Sequence, residues 1–328
     1  MAFDLPEKPL KLLKDPGLFY DYYVKQFLML LRFKFKSAKK QKGRINGQKI
    51  HTYEQTNELL YNKIMSDEPF MAGRTGGNEC SVVLCNKMIK LGALKKFPCE
   101  LMSTVKTGAG VFPMTSEAFS LFADEYEKAM GSMDVAVFWG HICCEQYMHR
   151  KNYLHAKLVP SRPLEPFKFS EPWTKALRGK KVLVIHPFEE TIQKQYLKRD
   201  KLFENPDILP EFELVTLKAV QSSAEAECEF NCWSDALGHM KKEISQKDFE
   251  VALLGCGGYA IPLAAYIKSS GKKAIVLGGL TQLLFGIKGS RWEASRPDIV
   301  AMYNEYWTRA GENEKPKGYK GIENGAYW

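Results

Sequence analysis

The segment Arg74-Thr75-Gly76-Gly77-Asn78-Glu79 sets a guanidinium, a glycine turn and a carboxylate within one short loop. Glycine lets the chain adopt conformations that bring its own backbone close to a ligand. The loop therefore offers Arg74 as an anion clamp and Glu79 as a general base or metal ligand, with Gly76, Gly77 and Asn78 as contacts to a bound phosphate. An Arg-Glu pair that only pins the turn is the other reading. Asp134, at the head of a later apolar run, is a candidate second carboxylate.

A second turn, Gly255-Cys256-Gly257-Gly258-Tyr259-Ala260, satisfies G-x-G-x-x-A between an apolar run and a segment of helical period. Free amides and the positive end of a helix at such a turn attract an anion. Glycines that serve only helix-to-strand packing explain the same spacing. A dinucleotide cofactor also calls for an acid at the end of the next strand, to bind a ribose hydroxyl. That strand ends Leu277-Gly278-Gly279, which speaks against NAD and for a nucleoside diphosphate or another phosphate-bearing ligand.

Downstream, Gly279, Gln282, Lys288, Arg291 and Trp292 follow the same strand. Lys288 and Arg291 can neutralise phosphates and Trp292 can stack on a base or sugar; a plain surface loop is the alternative. His186 follows the run Val182 to Ile185, with Arg199 on the helix behind it. A catalytic or phosphate-contacting histidine and a capped, core-satisfied one fit this position equally well.

The elements that must position these groups are short β-branched runs alternating with segments of helical period. They read as an α/β chain with a Rossmann-like, mostly parallel sheet flanked by helices, in two α/β halves behind an amino-terminal helical arm. Strands are expected at Met133 to Trp139, Val182 to Ile185, Phe212 to Leu217, Val251 to Gly255 and Ala274 to Gly279. Helices are expected at Glu54 to Met65, Cys80 to Leu91, after Thr115, at Glu189 to Phe203, and through Trp233 to Ile244. Pro160, Pro163, Pro166 and Pro172 forbid a helix or central strand and mark a linker. The resulting division is an arm at 1–50, an amino-terminal part at 51–158, a Rossmann-like part at 173–296 and a tail at 297–328.

With 328 residues, 45% of them hydrophobic, the chain can bury a large core. Its net charge of +9 is uneven, for the stretch from Lys25 to Arg44 carries eight cations and no acid. Behind the aromatic run Leu18 to Phe35 this composition suits an anionic membrane surface contacted through residues 18–44, and equally a helix docked on its own domain with a solvated basic tail. No nucleic-acid module accompanies it. The start lacks a cleavable leader pattern, so a cytoplasmic chain, peripheral at the inner face of the membrane, with eight free cysteines is expected.

The loop FMAGRTGGNE, the turn TGAGVFP, the block GKKVLVIHPF and the stretch from Leu253 to Trp292 together resemble the GT-D-fold glycosyltransferases associated with bacterial surface polysaccharides. The resemblance covers residues 66 to 293. It implies an enzyme that moves a sugar from a nucleotide-sugar donor to a saccharide or glycoprotein acceptor, with an Asp-x-Glu motif serving metal and chemistry. Glu79 matches the glutamate and Arg74 the arginine before it. Gly77 stands where the aspartate would be, which weakens the implied manganese or magnesium site. Joined to the reading of the residues themselves, the expected roles are Glu79, Arg74 and His186 in catalysis, and Gly255, Gly257, Gly258, Tyr259 and Arg291 around the donor diphosphate. The alternative is a non-catalytic nucleotide- or phosphate-binding protein of polysaccharide assembly.

Overall fold

The computed structural model describes residues 6–24, 43–140, 142–160, 162 and 164–328. Most of the basic run expected at 25–44 lies outside the described residues. Strands β1 (Arg44–Ile45) and β2 (Gln48–Lys49) form an antiparallel hairpin over Asn46-Gly47. A single sheet holds β3 (Met71–Gly73), β4 (Val135–Val137), β5 (Lys157–Val159), β6 (Lys181–His186), β7 (Glu213–Lys218), β8 (Val251–Leu254) and β9 (Lys273–Val276). Its seven strands run β5-β4-β3-β9-β8-β6-β7, every neighbour parallel. This is a Rossmann-like α/β arrangement.

Strand periodicity explains why both faces are covered. In β6, Leu183 and Ile185 join one core while Val182 and Val184 join the other; in β8, Ala252 and Leu254 oppose Val251 and Leu253 in the same way. Side chains two apart share a face, so near-continuous apolar runs such as these need cover on both sides. Fully burying each Val or Leu contributes about 1.5–3 kcal/mol, enough to fix these strands at the centre of the sheet. Helices Gly77–Lys90, Ser116–Met130, Trp233–Ser245 and Ala260–Ser269 cover one face. Helices Tyr53–Met65, Glu189–Tyr196 and Leu280–Leu284 cover the other.

Local signals start and stop these helices. Thr52 and Gln55 form a reciprocal capping box at the head of Tyr53–Met65, and the Thr115 hydroxyl accepts from the Ala118 amide at 3.2 Å. The turn read at TGAGVFP begins as the last turn of a helix, Cys99–Ala109, which stops where Gly110 adopts φ +77. The helix expected over Glu189 to Phe203 breaks into Glu189–Tyr196 and Arg199–Leu202. The Gln195 carboxamide donates to the carbonyls of Gly286 and Tyr306, and Leu197 is left 80% exposed where the chain turns to bury Leu202.

The two sequence halves share this one sheet. Met71 pairs with Ala274 and Ala72 with Ile275, so β3 of the first half lies directly beside β9 of the second. The proline-rich segment is the passage from β5 at one edge to β6 on the far side of β9 and β8. Residues 297–328 do not trail away as a tail. Buried Glu314 accepts from the amides of Glu190 and Thr191, and Ile322 and Trp328 are buried in the second core. Among the described residues no disulfide bond is formed. Among the described residues no helix is long and apolar enough to cross a membrane.

Candidate functional site

Because the strands are parallel, their carboxyl ends share one edge, and open sheets of this kind hold ligands there. Loops leaving β3, β4, β6, β7, β8 and β9 converge at that edge on a cleft of about 1180 Å³. The end of helix Cys99–Ala109, the segment holding Arg162 and Glu165, and the chain from Gly321 to Trp328 complete its walls.

Three glycines shape the turn after β8, each for its own reason. A Cβ on Gly255 would lie 2.6 Å from Thr281 Oγ1 and 2.7 Å from the Gly278 carbonyl oxygen. Gly258 is pressed against the Ala109 carbonyl, where a Cβ would come within 2.8 Å, and Gly257 has φ +56. Packing therefore explains Gly255 and Gly258, while Gly257 supplies the left-handed conformation. The amides of Cys256, Gly257 and Gly258 donate to no protein acceptor among the described residues, and Gly255, Cys256, Gly257 and Tyr259 line the cleft.

Across the cleft, the loop after β3 holds Arg74 between two neighbouring strands. Its Nη1 donates to the Leu277 carbonyl at 3.1 Å, and its guanidinium lies 4.8 Å from the centre of the Trp139 ring. Trp139 is fixed in turn, its Nε1 donating to the Thr75 carbonyl at 2.9 Å. Burial lowers the Arg74 pKa, Tyr327 opposes that shift, and the guanidinium stays protonated all the same. It has no ion-pair partner among the described residues.

Gly76 is the N-cap of helix Gly77–Lys90, whose start has no side-chain cap. The Glu79 carboxyl curls back over Gly76. Burial pushes its pKa up against a hydrogen bond from its own amide, and Glu323 pushes it further up. At the head of helix Glu145–Asn152 the buried Glu145 carboxylate accepts from the amides of Trp139 and Gly140, each at 2.7 Å. Burial nonetheless raises its pKa to about 7.

His186 ends β6 against the glycine turn. Its Nδ1 accepts from the Phe188 amide at 3.0 Å, which assigns the ring proton to Nε2, and burial drops its pKa to about 3. It stays neutral and can serve as a hydrogen-bond donor. Two other cations of the cleft are engaged, while Arg162 stands exposed at its wall: Arg291 meets Glu323 at 2.9 Å and Tyr327 at 3.0 Å, and Arg296 grips buried Glu165 through two bonds of 2.9 and 2.7 Å.

The cleft thus gathers Arg74, Gly76, Gly77, Asn78, Glu79, His186, Gly255, Gly257, Tyr259, Gly279, Gln282, Arg291 and Trp292 from the residues singled out in the sequence. Three others stand apart. Arg199 pairs with Glu211 at 3.2 Å on the second face, the Lys288 ammonium lies over the Tyr303 ring, and Gly258 is packed behind the turn. Asp134 lies at the opposite edge, before β4, where it accepts from Met71 and binds Lys268. Two members of the cleft differ in role from expectation. Trp292 is 6% exposed beneath Gly279 and Gly289, a wall and not a stacking platform, and Gln282 donates to the carbonyls of Ile287, Lys288 and Tyr327.

Sequence reasoning passed over Trp139, Glu165, Arg296, Glu323, Tyr327 and Trp328. Only Trp139 carried a usable signal, since it closes a strand at the edge where ligands sit. The metal expectation finds a poor donor set: Glu165 and Glu323 are held by arginines, so among the described residues Glu79 is the one cleft carboxylate without an ion pair. Among the described residues no three His, Cys, Asp or Glu side chains are grouped to hold a metal ion. No family model, no curated protein and no solved structure matches the chain.

Proposed function

We propose that the chain is a glycosyltransferase of surface polysaccharide synthesis, moving a sugar from a nucleotide-sugar donor to a saccharide or glycoprotein acceptor. The observation that carries the reading is Arg74, a half-buried guanidinium at the cleft, held by Leu277 and Trp139 with no carboxylate partner among the described residues. A charge partly withdrawn from water calls for a counter-charge, and here the ligand would supply it. The open amides of Cys256 and Gly257 line the same cleft, which suits a diphosphate better than a single carboxylate. The resemblance of the two glycine loops to the GT-D-fold enzymes points the same way.

In this reading the acceptor hydroxyl attacks the anomeric carbon as the bond to the diphosphate oxygen breaks. The proton passes to Glu79, whose raised pKa suits a base, and the bonding pair stays with the diphosphate. Arg74 and the turn amides stabilise that leaving charge, and neutral His186 can donate through Nε2. No step is assigned to a metal ion, because the carboxylate set does not fit one.

One observation favours a second reading, a binding protein without chemistry: the Glu79 carboxyl is folded over Gly76 at the start of its own helix. Calorimetry with UDP, GDP and CMP followed by assay of sugar release from the matching donors separates the two. Binding with slow donor hydrolysis that Glu79→Gln abolishes supports the transferase, and binding without turnover supports the module. Failure of all three nucleotides to bind overturns both.

A further inference from the structure

We propose that the described end of the amino-terminal arm, Lys8 to Val24, docks on an anionic lipid surface; the inference is independent of the chemistry in the cleft. Leu10 is 75% exposed and Leu13 53%, and both lie in the 3-10 helix Pro9–Lys14, where residues three apart share a side. Leu12, fully buried, anchors that turn to the protein, and Val24 is again exposed farther along. Solitary exposed leucines are ordinary on a protein surface. Here the charge around them is one-sided.

Lys8, Lys11 and Lys14 are exposed beside the two leucines and have no ion-pair partner among the described residues. The acids of the stretch are turned to other work. Glu7 pairs with Lys95 at 3.2 Å, Asp15 accepts from the Tyr147 hydroxyl at 2.6 Å, and Asp21 meets Arg150 at 3.1 Å. What remains is an aliphatic ridge beside a row of unpaired ammonium groups, continued in sequence by the acid-free stretch from Lys25 to Arg44. Lysine heads at the phosphate level with leucines inserted below them are the chemistry of an interfacial segment. Nucleic acid would take the lysines but give Leu10 and Leu13 no apolar partner.

The same stretch is pinned to helix Glu145–Asn152 through Tyr147 and Arg150, directly after the loop whose Cys143 lines the cleft. Docking would therefore bring that rim of the cleft to the bilayer.

The test is co-sedimentation of the full chain with vesicles of phosphatidylcholine, with and without phosphatidylglycerol. Two variants accompany it, Leu10→Ser with Leu13→Ser, and Lys8→Gln with Lys11→Gln and Lys14→Gln. All five side chains are exposed, so thermal melts should match the parent. The expected result is binding that needs phosphatidylglycerol, is weakened by the leucine pair, and falls roughly 100-fold on removal of three lysine charges at low salt. Absence of binding, equal binding by either variant, or release of the vesicles by single-stranded RNA at matched charge overturns the proposal.

Discussion

Arg74 and Trp139 leave the ends of adjacent strands, β3 and β4, and the guanidinium of the first lies 4.8 Å from the ring of the second. On its other side Arg74 is tied to the Leu277 carbonyl, beyond β9. Both neighbours of its own strand thus hold the arginine in place before any ligand arrives. Such pre-organisation spares the entropy that a free side chain loses on binding.

Replacing Arg74 by Gln should weaken nucleoside diphosphate binding about 10- to 100-fold, the loss expected for one charge-assisted hydrogen bond of about 1.5–3 kcal/mol. Lys at the same position should restore little, because an ammonium can neither reach the Leu277 carbonyl in the same plane nor stack on Trp139. Titration calorimetry on the three proteins checks this, and equal affinities would remove Arg74 from the site.

Gly255 and Gly271 separate two kinds of glycine requirement. A Cβ at Gly255 meets the Gly278 backbone at 2.7 Å, whereas at Gly271 nothing lies within 4 Å and only φ +79 resists a side chain. Gly271→Ala should cost about 1–2 kcal/mol from backbone conformation alone. Gly255→Ala should cost about 1–3 kcal/mol from overpacking, and it should also displace the turn that lines the cleft. Urea denaturation ranks the two, and ligand affinity should fall only in the Gly255 variant.

Two buried groups give opposite pH dependences. The ordinary histidine value is 6.5 and His186 is held at about 3, so as the pH falls below 6.5 the unfolded chain takes up a proton that the folded chain refuses. Stability drops with acidification through that window. Glu145, ordinarily at 4.5, is held at about 7, so the unfolded chain releases its proton first and stability drops as the pH rises from 4.5 to 7. Each slope reaches at most about 1.4 kcal/mol per pH unit. The parent curve blends them. His186→Asn should therefore flatten the acid limb and Glu145→Gln the fall in stability towards neutrality, both read from denaturant midpoints across pH.

How far the site could be read in advance depended on whether its residues were local in sequence. The two glycine loops were legible because each puts its chemistry within six residues, and parallel strands then force both loops to one edge. Asp134 misled because strand polarity matters: a residue before β4 sits at the edge opposite Trp139, which follows it. Arg199 and Lys288 were placed by sequence proximity to strand ends, but helix phase and the return of the chain near Thr308 carry them away. The cleft wall from Gly321 to Trp328 had no sequence signal at all, because it is positioned by long-range burial of Glu314, Ile322 and Trp328.

That wall supplies the last prediction. Glu323 meets Arg291 at 2.9 Å, with the two side chains 55% and 43% exposed, so the pair contributes little to folding. Within the cleft it occupies a cation that an anionic ligand would otherwise engage. Glu323→Gln should leave the melting temperature within about 1 °C of the parent, since a change below about 0.5 kcal/mol moves it little. The same change should tighten nucleoside diphosphate binding severalfold, more at low salt than at high. Arg291→Ala should weaken it, and adding Glu323→Gln to that variant should recover less than in the parent, because the carboxylate then competes for nothing. A double-mutant cycle of dissociation constants measures this coupling directly. Additive effects would mean that Glu323 and the ligand do not share Arg291.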